Sequence, residues 1–163
     1  MSNGACILAH FADQEKLTAA ATKLSTDKAI SRWDAVDGHV HLVAWSSDAK
    51  VARGSITKLD GVDQVTAYET AQATTATTPL DPSRCYAYVF VETEEAKRSQ
   101  VAKALGEVPE IVTCTTARGG CDIIAIVSGE TFSHVDAVIR DRIRPLDGIL
   151  RLKHNRIIDL KQL

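Results

Sequence analysis

ACILAHFADQEKLTAAATKLSTDKAI (5–30) and YAYVFVETEEAKRSQVAKALGEVPEI (86–111) follow one plan: an apolar run, an acidic break, a helix-like stretch, then an isoleucine. An offset of 81 residues places Leu24 on Leu105, Ala21 on Ala102, Ile30 on Ile111 and Gly38 on Gly119, and lays HLVAW (41–45) over DIIAI (122–126). Further on, KLDGV (58–62) matches PLDGI (145–149) at an offset of 87, so the second copy carries a longer second helix. A chain that repeats itself in this way is built from two units of one kind.

Each copy reads β-α-β-β-α-β. In the second, CYAYVFVE has the aromatic and β-branched content of a strand. Thr93 is placed to cap a helix whose first turn carries Glu94 and Glu95. Val101, Leu105 and Val108 form one apolar stripe on it, and GEVP closes it. IVTCTT and DIIAIV are strands around the Arg118-Gly119-Gly120 turn. A second helix carries Val135, Val138, Ile139, Ile143 and Leu146, and ILRLKHNRIIDL is the last strand. The first copy follows suit: the strand CILAHF, a helix over Glu15 to Leu24, and a hairpin of ISRWDAV and HVHLVAW around Asp37-Gly38. A helix from Asp48 to Leu59 and the strand VDQVTAYE complete it. The expected fold class is α+β: two ferredoxin-like repeats, each a four-stranded antiparallel sheet with helices on one face. The other face of each sheet needs cover, so the copies are expected to pack sheet to sheet as an intrachain pseudo-dimer of the dimeric α/β-barrel type.

The expected division is a first repeat over residues 1–70, a linker over 71–84 and a second repeat over 85–163. AQATTATTPLDPSR, with two prolines and no apolar period, reads as linker.

The 163 residues carry a formal net charge of -2 with a pI near 6.2, so no basic field draws the chain to phosphate backbones. Direct nucleic-acid binding is not expected. The start, MSNGACILAHFADQ, has no secretory pattern, and no apolar run approaches the roughly 18 residues that span a bilayer. Four cysteines, Cys6, Cys85, Cys114 and Cys121, include no CxxC pair. The expectation is a cytoplasmic protein with reduced thiols, no membrane contact and no cofactor, although Cys114 and Cys121 flank one hairpin and could face each other across it.

That hairpin, TTARGGCDIIAIV (115–127), is the candidate site. Gly119 and Gly120 leave backbone N–H groups open to an anion, and Asp122 could hold an ammonium, so together they suit a zwitterion. The alternative is that Asp122 accepts turn N–H groups and serves the fold.

The second copy, from Tyr86 to about Leu160, resembles the effector-binding domain of the Lrp/AsnC transcription regulators. The resemblance rests on Pro109-Glu110-Ile111-Val112, on Gly119-Gly120-Cys121-Asp122 before an apolar strand, and on Leu146-Asp147-Gly148-Ile149 before the last strand. It implies a sensing and oligomerisation module that takes a small molecule, often an amino acid, near Gly119, Gly120, Cys121 and Asp122. It further implies homo-oligomers, or hetero-assembly with full-length regulators. Three features depart from the family. The residues before Tyr86 form another sensor-type copy where the family has a DNA-binding helix-turn-helix. Cys121 stands where the family has an aromatic residue. Arg151-Leu152-Lys153-His154 replaces the family's threonines in the last strand. In the first copy, DGHVHL replaces the hairpin motif and His41 falls at the Asp122 position.

A rival class is a small barrel enzyme or haem- or metal-handling protein using His10, His39 and His41. His39 and His41 alternate and so share a strand face, and His10 lies on the neighbouring strand. No third ligand stands at metal spacing, and no nucleophile triad, Walker loop or dinucleotide fingerprint is present. Trp33 and Trp45 read as core, and Arg140, Arg142 and Arg144 as a solvated helix face.

Overall fold

The computed structural model describes residues 4–71 and 79–159; part of the expected linker, 72–78, lies outside the described residues. The first unit consists of β1 (Gly4–Phe11), α1 (Gln14–Thr26), β2 (Arg32–Asp37), β3 (Leu42–Ser46), α2 (Ala49–Thr57) and β4 (Val62–Thr70). The second consists of β5 (Cys85–Thr93), α3 (Arg98–Gly106), β6 (Ile111–Arg118), β7 (Ile123–Gly129), α4 (Phe132–Val138) and β8 (Ile149–Ile158). Both are antiparallel βαββαβ units, as expected.

The eight strands close into one barrel in the order β1-β3-β2-β8-β5-β7-β6-β4. Moving four places around this ring exchanges β1 with β5, β3 with β7, β2 with β6 and β4 with β8. The units are therefore related by a half-turn about the barrel axis. Two seams join them. Ala35, Val36 and Asp37 lie opposite Ile158, Ile157 and Arg156, and Glu69 and Thr70 lie opposite Arg118 and Ala117. Each unit alone would leave two raw sheet edges; pairing them across the seams removes both.

Burial on both faces explains the near-continuous apolar strands. Inside the barrel, Cys6, Leu8, Val43 and Trp45 of the first unit meet Tyr86, Tyr88, Phe90, Ile124 and Ile126 of the second. Outside, Leu17, Ala20, Leu24, Ala52 and Ile56 cover Ile7, Ala9, Leu42 and Ala44. In the second unit, Val101, Leu105, Val135, Val138 and Ile139 cover Ala87, Val89, Ile123 and Val127.

Helix starts follow from short polar side chains. Asp13, Asp48 and Thr131 accept the backbone N–H groups of Lys16, Val51 and His134. The expected Thr93 cap does not form. A 3-10 turn, Glu95–Lys97, separates Thr93 from α3, and Thr93 ends β5 instead. The extra length of the second unit's last helix appears as a π-helical turn, Ile139–Ile143, directly after α4.

Candidate functional site

The β6–β7 turn has the conformation that its glycines were expected to supply: Gly119 and Gly120 have φ of 108° and 121°. Asp122 follows, and its carboxylate is already engaged. Oδ2 accepts the Thr93 backbone N–H at 2.8 Å and Oδ1 accepts from the Arg98 guanidinium at 2.9 Å. The same place in the first unit is held by His41, whose Nδ1 accepts the Phe11 N–H at 3.0 Å. The surrounding backbone bonds also correspond: His41 N–H to Ala9 and Asp122 N–H to Val91, each at 2.9 Å. Both units thus need a side-chain acceptor here to tie the end of the first strand to the hairpin turn.

The two acceptors differ in one property, since an imidazole that takes up a proton on Nδ1 can no longer accept there. Charging Nδ1 forfeits the Phe11 bond, and burial with the neighbouring His10 holds the His41 pKa below its ordinary value, against the opposing pull of Asp37 and Asp63. His39 and His154 are lowered too, each first by burial. A lowered folded pKa means that the unfolded chain takes up protons first as pH falls through about 6.5. Stability is therefore expected to be full above that pH, to fall below it, and to level off once the folded pKa values are passed. Thermal melts from pH 7.5 to pH 5 check this, and His41→Asp, which installs the second unit's acceptor, is expected to flatten part of the slope.

At one mouth of the barrel, on its axis, lies a cleft of about 220 Å³. Its walls come in related pairs, Leu8 with Phe90, Val40 with Cys121, and His39 with Gly120. Its polar groups break that symmetry: Lys153 stands where the first unit has Thr66, and Glu92 where it has His10. Tyr68 and Gln64 complete the polar side. Lys153 is exposed and has no ion-pair partner among the described residues, while Glu92 is held only loosely by Arg151, at 3.6 Å. Asn155 donates to His39 Nδ1 at 3.0 Å, His39 Nε2 has no hydrogen-bond partner among the described residues, and the ring sits edge-on to Phe90.

Of the four expected site residues, Gly120 and Cys121 line this cleft, Gly119 lies against Tyr68, and Asp122 braces the turn outside the cleft's lining. Cys121 points into the barrel, and burial pushes its thiol up to about 11. Cys114 packs on the outer face of the second unit, so the two thiols lie on opposite sides of the sheet and do not face each other across the hairpin. The cleft's charged groups, Glu92 and Lys153, were missed by sequence reasoning; their inward parity on β5 and β8 was the available signal.

The histidines divide. His10 and His41 come together, with ring centroids 4.4 Å apart, and His10 Nδ1 lies 2.7 Å from Asp63 Oδ1. His39 does not join them. The expectation of a shared strand face assumed that β3 included both residues, but β3 begins at Leu42 and the turn takes up His39 and His41. Among the described residues no group of three or more His, Cys, Asp and Glu side chains is arranged to hold a metal ion.

A buried polar chain crosses the barrel between the units. The Trp45 indole N–H donates to the Tyr88 hydroxyl at 3.0 Å, the hydroxyl donates to Asp34 at 2.6 Å, and Arg32 pairs with Asp34 at 3.0 Å. Burial and the Asp34 charge raise the Tyr88 pKa well above its usual value, so the phenol stays protonated and donating.

Residues 86–159, most of the second unit, match the model of the Lrp/AsnC ligand binding domain. No curated protein sequence matches the chain. Among solved structures, the siroheme decarboxylase NirDL aligns with 96% of this chain and 71% of its own, at 11% identity and a TM-score of 0.77. That likeness extends across both units and shows a common fold. FFRP-DM1 aligns with 45% of this chain and 99% of its own, at 24% identity and a TM-score of 0.44. A transcriptional regulator from Neisseria meningitidis, solved in complex with L-Met, aligns with 50% of this chain and 57% of its own, at 15% identity and a TM-score of 0.45.

Proposed function

We propose that the chain is a small-molecule sensing and assembly module of the Lrp/AsnC type, with its effector received in the on-axis cleft beside Gly119, Gly120 and Cys121. The observation that carries this reading is the cleft's chemistry: one carboxylate and one ammonium, Glu92 and Lys153, stand over an apolar floor of Leu8, Val40 and Phe90. That set suits a small zwitterion with an apolar side chain, an amino acid being the simplest example. The family match of the second unit supports a sensing role. Because both units contribute walls, a bound effector would act by linkage, favouring whichever assembly of barrels binds it more tightly, either homo-oligomers or complexes with full-length regulators.

A thermal-shift screen of the amino acids tests this. At least one is expected to raise the melting temperature in a saturable way, and Lys153→Ala or Glu92→Ala is expected to weaken its binding about tenfold or more, as loss of a charge-assisted contact does. A ligand indifferent to both substitutions would remove the cleft from the proposal.

A second reading, a small barrel enzyme or haem- or metal-handling protein, is favoured by one observation: His10 is held by Asp63 beside His41, so that two imidazoles adjoin each other. Stoichiometric haem or metal in the purified protein, lost on replacing His10 and His41, would decide for it.

A further inference from the structure

The duplicated fold supplies its own control. A residue type that both units place at one position belongs to the fold, whereas a strong chemical difference between equivalent positions is free of that requirement. By this test the largest contrast lies in the grooves beside the two seams. At the β4–β6 seam a groove of about 220 Å³ is lined by Arg98, Arg118, Thr116 and Glu69. The equivalent groove at the β2–β8 seam, about 250 Å³, has Leu17 in place of Arg98 and Asp37 in place of Arg118, with Asp13 and His41 nearby. The same fold is built with an aliphatic residue and an acid where the second unit has two arginines.

We propose that the groove at the β4–β6 seam is a separate binding site for a small oxyanion, a carboxylate or a phosphate ester, held between Arg98 and Arg118. Arg98 is preorganised: Asp122 fixes one edge of its guanidinium at 2.9 Å, and its Nε is buried without an acceptor. The Arg118 side chain is exposed and makes no hydrogen bond or ion pair among the described residues, although Glu69 lies opposite it in the strand register. A planar guanidinium presents paired donors that match a carboxylate or phosphate edge. Thr116, exposed on the same face, offers a hydroxyl donor, and Glu69 gives the site a preference for ligands that also carry a donor or cationic group. This groove shares no lining residue with the on-axis cleft, so the site stands or falls independently of the sensing proposal.

The test is calorimetric titration of the full chain with inorganic phosphate, sulfate and succinate at constant ionic strength, with chloride as the control. Saturable binding of at least one oxyanion in the millimolar range or tighter is expected, with phosphate and succinate distinguishing a phosphate ester from a carboxylate ligand. Arg118→Ala, at an exposed position, is expected to fold normally and to weaken binding about tenfold or more. Lys153→Ala is expected to leave it unchanged. Absence of saturable binding overturns the site, as does binding that survives Arg118→Ala or is lost with Lys153→Ala.

Discussion

Replacing Asp34 by alanine is expected to be among the most damaging single changes in this chain, lowering unfolding free energy by about 3–5 kcal/mol. The Asp34 carboxylate is 14% exposed and its partner Arg32 13%, so neither charge is free to recover full hydration when the other is removed. The same carboxylate accepts the Tyr88 hydroxyl at 2.6 Å, and Tyr88 is wholly buried in the barrel. Truncation would take one carboxylate away from the buried Arg32 guanidinium and leave the Tyr88 phenol without its acceptor. For a chain of this size roughly 2–4 °C accompanies each kcal/mol, so the melting temperature is expected to fall by roughly 6–20 °C. Tyr88→Phe keeps the ion pair and removes one hydroxyl, so its cost is expected to be smaller, about 1–3 kcal/mol. Urea unfolding of the two variants checks the order. Equal costs would mean that the ion pair contributes little beyond the Tyr88 bond.

This chain of bonds also marks where sequence reasoning stops. Trp45 and Asp34 belong to the first repeat and Tyr88 to the second, and nothing local in RWDAVD or CYAYVFVE announces that an aspartate will meet a tyrosine across a barrel. The barrel itself was legible because its determinants are local and stated twice. Matching glycine turns, matching apolar strands and helices with one apolar stripe required two sheets, each with one face to hide. The hairpin was legible in part. Gly119 and Gly120 announce a turn, but the different chemistry of His41 and Asp122 hides the purpose they share. The fold asks that position only for an acceptor, and imidazole and carboxylate both supply one. The same logic hid the cleft. Glu92 and Lys153 look like ordinary outward charges until the closed ring fixes their strand faces toward the barrel mouth.

The paired glycines give the second large effect. Gly38 and Gly119 occupy equivalent turns, and both have positive φ, 155° and 108°. Their surroundings are unequal. A Cβ on Gly38 would fall 2.0 Å from Asn155 Oδ1 and 3.2 Å from the His154 carbonyl oxygen, whereas one on Gly119 would meet nothing nearer than 3.6 Å. Asn155 has no room to yield: it is fully buried and its amide is committed to His39. Gly38→Ala is therefore expected to combine backbone strain with overpacking and to cost about 3 kcal/mol or more. Gly119→Ala carries the strain alone, about 1–2 kcal/mol. The Gly38 substitution also acts on function, because the clash falls where β2 meets β8 and displaces the turn that carries His39 and Val40 into the cleft. Any effector bound there is expected to lose affinity with Gly38→Ala beyond what Gly119→Ala causes. Denaturant midpoints for the two variants, followed by effector titration of each, would separate strain from clash. A Gly38 variant as stable as the Gly119 variant would show that the β2–β8 seam can open to admit a methyl group, and that the cleft is less firmly built than its buried asparagine implies.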